Sequence, residues 1–243
     1  RTVGNKAKGK KFWNLKKTDE KTGELTLYGE ISNVSWWGDE VTPKQFKEDL
    51  DKLSDIETLN VYINSPGGDV FAGQTIYSML KRHKAQVNVY IDGLAASIAS
   101  LIAMAGDKVI MPANAMMMIH NPWTFAMGNA NDFRKLADDL DKIRESMIVA
   151  YQGKSGLEKD EIISIMDAET WLTAEECKKK GLADEIEEAK KVAACVDEKY
   201  FSRYRNVPKN LKELPEEPPG QAREVRDSEN ELRKRKLLLE LEL

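Results

Sequence analysis

The sequence predicts an α/β fold built on a parallel sheet. Two β-branched runs, Leu59–Ile63 (LNVYI) and Val87–Ile91 (VNVYI), read as buried strands. Each is followed by a glycine-bearing turn and then by a helical run of small and apolar residues. Strand, turn and helix repeated in that order argue for parallel strands joined by right-handed crossovers.

Length and charge bound the possibilities. The chain has 243 residues, of which 32% are charged, and a formal net charge of −4. That length fits one large domain or a domain with appendages. The charge leaves no basic footprint for nucleic acid. Apolar stretches break well short of the roughly 20 residues a membrane span needs. The basic N-terminus, RTVGNKAKGKKFW, lacks an apolar core and is not read as a secretory signal. Two cysteines, Cys177 and Cys195, form no metal or disulfide pattern and fit a reducing cytosol. No metal and no cofactor is expected.

Taken in order, residues 1–11 are rich in Lys and Gly and are expected to be mobile. Phe12–Trp13 opens the folded part. Lys21–Thr22–Gly23 turns into a strand over Leu25–Ile31. Thr42 is an expected N-cap, with Pro43 at the first position of a helix running through FKEDLDKL. After Leu59–Ile63 comes Asn64–Ser65–Pro66–Gly67–Gly68–Asp69, a tight turn with unusual backbone angles. It lacks the spacing of either glycine-rich phosphate loop. A helix follows over Val70–Arg82. Asp92 and Gly93 read as turning the chain after Val87–Ile91, and a helix starts near Ser97. Lys108–Met111 is a short strand, and Ala115–Ile119 is an apolar run that delivers His120 at its end. Asn131–Tyr151 is a long helix with an apolar stripe at Phe133, Leu136, Leu140, Ile143, Met147 and Ile148. Lys159–Met166 is a shorter helix. Thr173 and Glu176 form the capping box of another, which Gly181 ends. Residues 203–243 hold four of the eight prolines and many charges, with a linker at LPEEPPG and a short amphipathic helix over Ser228–Leu243. The expected division is a mobile segment at 1–11, a folded domain at 12–190, and a linker-like, partly disordered extension at 191–243.

The chemistry centres on three places. Ser97 stands at a strand–turn–helix junction, where unpaired backbone N–H groups and the helix dipole favour negative charge. That suits a nucleophile whose attack creates an oxyanion, although a serine there can also serve only as a cap. The chain has two histidines. His83 lies in Lys81–Arg82–His83–Lys84 at a helix C-terminus, a solvated, dipole-matched place. His120 sits at a strand tip. A carboxylate is available in Asp167–Ala168–Glu169. A serine hydroxyl needs a base, and the base needs a carboxylate to hold its tautomer. The Gly-Gly turn would supply one oxyanion N–H, and Ile98, the residue after the serine, another.

The motifs INSPGGDVFAGQTIY, DGLAAS, MMMIHNP and TWLTAEECKKKGLADEI, in that order, resemble the proteolytic subunit of the Clp protease, ClpP. With FWN, TGELTLYGEI and ETWLTAEE, the chain is more similar still to the ClpP-like head maturation proteases of phages and prophages. The resemblance covers roughly residues 12–190. It implies a ClpP/crotonase-like fold of repeated ββα units and homo-oligomeric stacked rings with the active sites inside. It implies a cytoplasmic serine endopeptidase acting on protein or peptide substrates, here capsid or scaffold proteins in phage head maturation. Ser97 falls on the family nucleophile, His120 on its base, and Gly68 and Ile98 on its oxyanion donors. Glu169 stands where ClpP has an Asp, two residues before Trp171–Leu172–Thr173–Ala174. Asp167 matches a position of ring contacts and is the alternative triad acid. The N-terminus lacks the segment that docks the unfoldase, which counts against an unfoldase partner. The competing readings are a housekeeping Clp-type peptidase with an ATP-driven unfoldase, a crotonase-fold acyl-CoA enzyme, and a silent ring. The last two leave a Ser–His pair without a purpose.

Overall fold

A computed structural model describes residues 12–32, 43–189 and 201–208. The expected Thr42 cap, Cys195, the N-terminal segment 1–11, the linker at 214–220 and the helix at 228–243 lie outside the described residues.

The chain opens with an antiparallel pair, β1 (Trp13–Lys17) and β2 (Thr22–Tyr28). From β2 the sheet continues in parallel through β3 (Thr58–Ser65), β4 (Gln86–Ala96), β5 (Lys108–Pro112) and β8 (Glu185–Glu187). The crossovers carry α1 (Pro43–Asp51), α2 (Val70–Lys81) and α3 (Ile98–Ala103). This is the predicted α/β architecture. Burial along β3 and β4 alternates. Leu59, Val61, Ile63, Val87, Val89 and Ile91 are buried, each contributing about 1.5–3 kcal/mol. On the other face Tyr62 stacks on Tyr90 at 5.1 Å. The β1 strand and the short β8 carry too little pattern to be read from sequence.

One expectation is corrected at the centre of the sheet. Asp92 and Gly93 do not turn the chain, because β4 runs on to Ala96. They fall where β4 changes partners. Residues 88–90 pair with β5, and residues 94–96 pair with β6 (Met116–Ile119). The pairing of β4 with β3 is irregular at the same place, between Ile63 and Ser65. There the Asn64 side chain accepts from the Leu94 N–H at 3.2 Å. Turn-forming residues here bend a strand rather than end it.

The second half of the domain builds on β6. Its antiparallel partner is β7 (Thr170–Thr173), which lies between α5 (Lys159–Asp167) and α6 (Ala174–Lys179). The capping box on α6 is as the sequence predicts, with Thr173 accepting from the Glu176 N–H. The long helix α4 (Ala130–Ser155) has its own capping box at Asn129 and Asp132, and ends at Gly156 in the left-handed region. Only its C-terminal half packs on the core, through Met147, Ile148, Ala150 and Tyr151. Toward its start, Phe133 is 49% exposed, and in the preceding loop Phe125 is 89% and Met127 98% exposed. None of the described helices is long and apolar enough to cross a membrane.

His83 is also corrected. It is half-buried just past α2, and its Nδ1 accepts from the Ala85 N–H at 3.2 Å. Burial lowers its pKa, the opposite of a solvated cation at a helix end. The folded body also extends past the expected boundary near residue 190. Phe201 and Val207 are both buried.

Candidate active site

Two strands bring Ser97 and His120 together. β4 ends at Ala96, paired with Met118 of β6, and the Ser97 N–H donates to the Met118 carbonyl at 2.8 Å. His120 follows β6 by one residue. The result is a 2.7 Å hydrogen bond between His120 Nε2 and Ser97 Oγ. Both residues are buried, at 9% and 8% relative exposure, so bulk water does not compete for the bond.

Ser97 occupies a backbone conformation that a side-chain-bearing residue avoids, φ 56° and ψ −128°. Such a conformation costs about 1–3 kcal/mol and persists only where the surroundings over-determine it. The surroundings are specific. A Cβ on Gly67 would stand 2.6 Å from the Ser97 Cβ, so only glycine lets the turn pass over the serine. A Cβ on Gly73 of α2 would meet Ile98 at 2.1 Å, so α2 packs directly against the start of α3. The Ser97 carbonyl accepts from the Ser100 hydroxyl at 2.6 Å, and Ser100 Oγ in turn shares a 2.8 Å bond with the Tyr151 hydroxyl of α4. Sequence reasoning missed Ser100 and Tyr151. Their only signal was a hydroxyl in an apolar helix and a tyrosine in line with the buried end of α4.

The predicted oxyanion donors lie beside Ser97. Gly68 forms a bridge with Ile31, but its two bonds are made by the Gly67 carbonyl and the Asp69 N–H. The N–H of Gly68 itself therefore points the other way, and Gly68 lines the cleft with Ser97 and His120. With φ +147° and a would-be Cβ 1.9 Å from the Ile31 carbonyl oxygen, this position admits only glycine. Ile98 is the first residue of α3, so its N–H has no acceptor within the helix. The cavity at this point is ≈ 130 Å³.

The register of β6 and β7 separates the two candidate acids. Ile119 pairs with Thr170, and extending the register by one residue sets His120 opposite Glu169. Glu169 is buried at 8% exposure and holds φ 47°, the second strained non-glycine residue among the described ones. Asp167 ends α5 and turns away. Its carboxylate accepts from the Asn121 side chain at 2.7 Å and faces Arg144 at 3.5 Å. Burial lowers the pKa of His120, and the charge of Glu169 opposes that by raising it. No hydrogen bond joins the two among the described residues. The Glu169 Oε1 instead accepts the N–H groups of Arg205 and Asn206, both at 2.7 Å.

Cys177 is a buried thiol whose pKa is pushed up to about 12 by burial, so it is no nucleophile. Among the described residues, no group of three His, Cys, Asp or Glu side chains could hold a metal ion.

A serine at a strained strand–helix junction, with an imidazole on its hydroxyl and N–H donors beside it, is the arrangement of the serine hydrolases. Residues 45–190 match the Clp protease family. The chain belongs to that family, and with it to the serine-type peptidases. It is 34% identical over 139 residues to the ATP-dependent Clp protease proteolytic subunit of Bacteroides fragilis, a match covering 56% of this chain and 67% of that protein. It is 32% identical over 139 residues to the protein of that name in Bacteroides thetaiotaomicron, covering 56% of this chain and 63% of the relative. The Deinococcus radiodurans protein is 32% identical over 140 residues, covering 56% and 68%. The matched stretch thus spans about two thirds of these relatives. The family match ends at residue 190, before the segment that touches Glu169.

Proposed function

We propose that the protein is a serine endopeptidase in which Ser97, His120 and Glu169 form the triad. Ser97 Oγ bonds to the carbonyl carbon of a peptide, and its proton passes to His120 Nε2. The carbonyl oxygen gathers the negative charge and takes the N–H groups of Gly68 and Ile98. The C–N bond then breaks as His120 gives its proton to the leaving amine. Water repeats the sequence to free the acyl group. The observation that carries this reading is the 2.7 Å bond between His120 and Ser97 at a serine held in a strained conformation. A fluorophosphonate probe tests it, since adduct formation requires the activated serine, and substitution of Ser97 must remove the adduct.

The protein assembles through the exposed start of α4 and the loop before it, giving the stacked rings of the family resemblance. The support is the exposed apolar surface of Phe125, Met127 and Phe133. Light scattering of an active, stable monomer would contradict this.

Its substrates are capsid or scaffold proteins in phage head maturation. The support is the head maturation pattern in FWN, TGELTLYGEI and ETWLTAEE. Portal and capsid genes beside this one would agree with that reading, and their absence would oppose it. The second reading, a housekeeping peptidase fed by an ATP-driven unfoldase, draws support from the names of the bacterial relatives. Degradation of a folded substrate only when an unfoldase and ATP are added would select it.

A further inference from the structure

The cleft of the candidate site holds part of the chain itself. Tyr204 lines it together with Ser97, His120 and Gly68. Its hydroxyl donates to the Pro66 carbonyl in the glycine turn, beside Ser97. Its ring stands edge-on to His120 at 5.4 Å and to Trp171 at 5.7 Å. Arg203 crosses to the opposite wall and pairs with Glu30. Beyond Tyr204, the Arg205 and Asn206 N–H groups occupy Glu169 Oε1, and the Asn206 side chain donates to the Ala168 carbonyl at 2.9 Å. Buried Phe201 and Val207 anchor the two ends, with Phe201 6.3 Å from Trp171.

We propose that residues 201–207, FSRYRNV, are an intramolecular inhibitor, and that the cleft is a peptide-binding site selecting an aromatic side chain next to arginine. This rests on the reading of Ser97 as nucleophile. The segment acts on both ends of the triad. The Tyr204 phenol holds the space in front of Ser97 Oγ. The two N–H groups hold Glu169 Oε1, so the segment sets how that carboxylate sits beside His120. The pose is that of an inhibitor and not of a substrate, because a phenol offers Ser97 no carbonyl to attack. Burial pushes the Tyr204 hydroxyl up to about 12, so it stays a neutral donor near pH 7. Within the cleft, Glu30 is the side chain that recognises arginine, and Trp171 and His120 frame the aromatic ring.

The experiment uses the full chain, with Tyr204→Ala, Tyr204→Phe and Arg203→Glu compared with the parent. The rate of Ser97 labelling by a fluorophosphonate is measured, with circular dichroism checking the fold. A segment that fills the site most of the time lowers the competent fraction, and labelling slows by that fraction. Tyr204→Ala is expected to label about tenfold faster or more, Arg203→Glu less so, and Tyr204→Phe between the parent and Tyr204→Ala. The synthetic peptide FSRYRNV, added to the Tyr204→Ala protein, is expected to slow labelling again, and FSRARNV is not. Equal labelling of the parent and a folded Tyr204→Ala protein would overturn the inhibitor and leave Ser97 as nucleophile. An inactive FSRYRNV peptide would also overturn it. Labelling of neither protein would remove the nucleophile, and the inhibitor with it.

Discussion

Ser97 and Glu169 are the two non-glycine residues with positive φ among those described, and they are held in different ways. Ser97 is fixed by the core. Gly67 passes over it, α2 packs against the residue after it, and Ser100 with Tyr151 ties down its carbonyl. Glu169 is set by the edge of the sheet, in the step from α5 to β7, and its carboxylate is engaged by Arg205 and Asn206. The Ser97–His120 pair is therefore a property of the domain. The Glu169 carboxylate is instead held by residues that lie beyond the family match. Strain at Ser97 is matched by contacts within the core, and strain at Glu169 by contacts from the 201–207 segment.

The largest effect is expected at Ser97. Ser97→Ala is expected to lower peptide hydrolysis by about 10⁶ while leaving the assembly intact. Near-normal hydrolysis by the purified variant would remove Ser97 from the mechanism. Glu169→Gln is expected to lower turnover by about 10⁴, because an amide cannot stabilise the protonated imidazole. Glutamine still accepts the Arg205 and Asn206 N–H groups, so this variant separates the charge from the grip on the segment. It is best measured in the Tyr204→Ala protein, where that grip matters least. Asp167→Asn should leave turnover nearly unchanged in intact assemblies. If it abolishes turnover there and Glu169→Gln does not, Asp167 is the triad acid.

Smaller effects sharpen the same contrast. Gly68→Ala is expected to cost about 10²–10³ in turnover, the worth of an oxyanion donor, as the added methyl forces the turn away from Ile31. A pH profile reads the electrostatics. The base must be neutral to accept the Ser97 proton, and burial lowers the His120 pKa. The acid limb of kcat/KM is therefore expected below the ordinary histidine value of about 6.5. Glu169 opposes that lowering, so Glu169→Gln should move the limb further down. A shift upward would contradict the proximity of the two groups. Ser100→Ala is expected to cost about 1 kcal/mol of stability, the net value of one hydrogen bond, read from denaturant unfolding.

Much of the site was legible because its chemistry coincides with local pattern. Ser97 follows a β-branched run and precedes a helix of small residues, and His120 ends an apolar run. The Thr173–Glu176 box marks the start of α6 without help from tertiary structure. Asp92–Gly93 misled because turn propensity is local, whereas the exchange of β5 for β6 beside β4 is a property of the whole sheet. His83 misled for a similar reason. Its charged neighbours suggest solvent, but the ring is half-buried. The segment 201–207 was invisible. It has no helical or strand period, and the prolines after it pull the local composition toward a linker. Phe201 and Tyr204 among charges were the available hint. What separates Asp167 from Glu169 is strand register, which a residue pattern carries only through the spacing to Trp171.

The role of Ser97 is tested by where a fluorophosphonate lands. The Tyr204→Ala protein and the same protein carrying His120→Ala would be labelled at neutral pH, and the adduct mapped by tandem mass spectrometry. The expected result is a single adduct on Ser97 that disappears when His120 is removed. An adduct on another serine, or one on Ser97 that forms equally fast without His120, would contradict a nucleophile activated by that histidine.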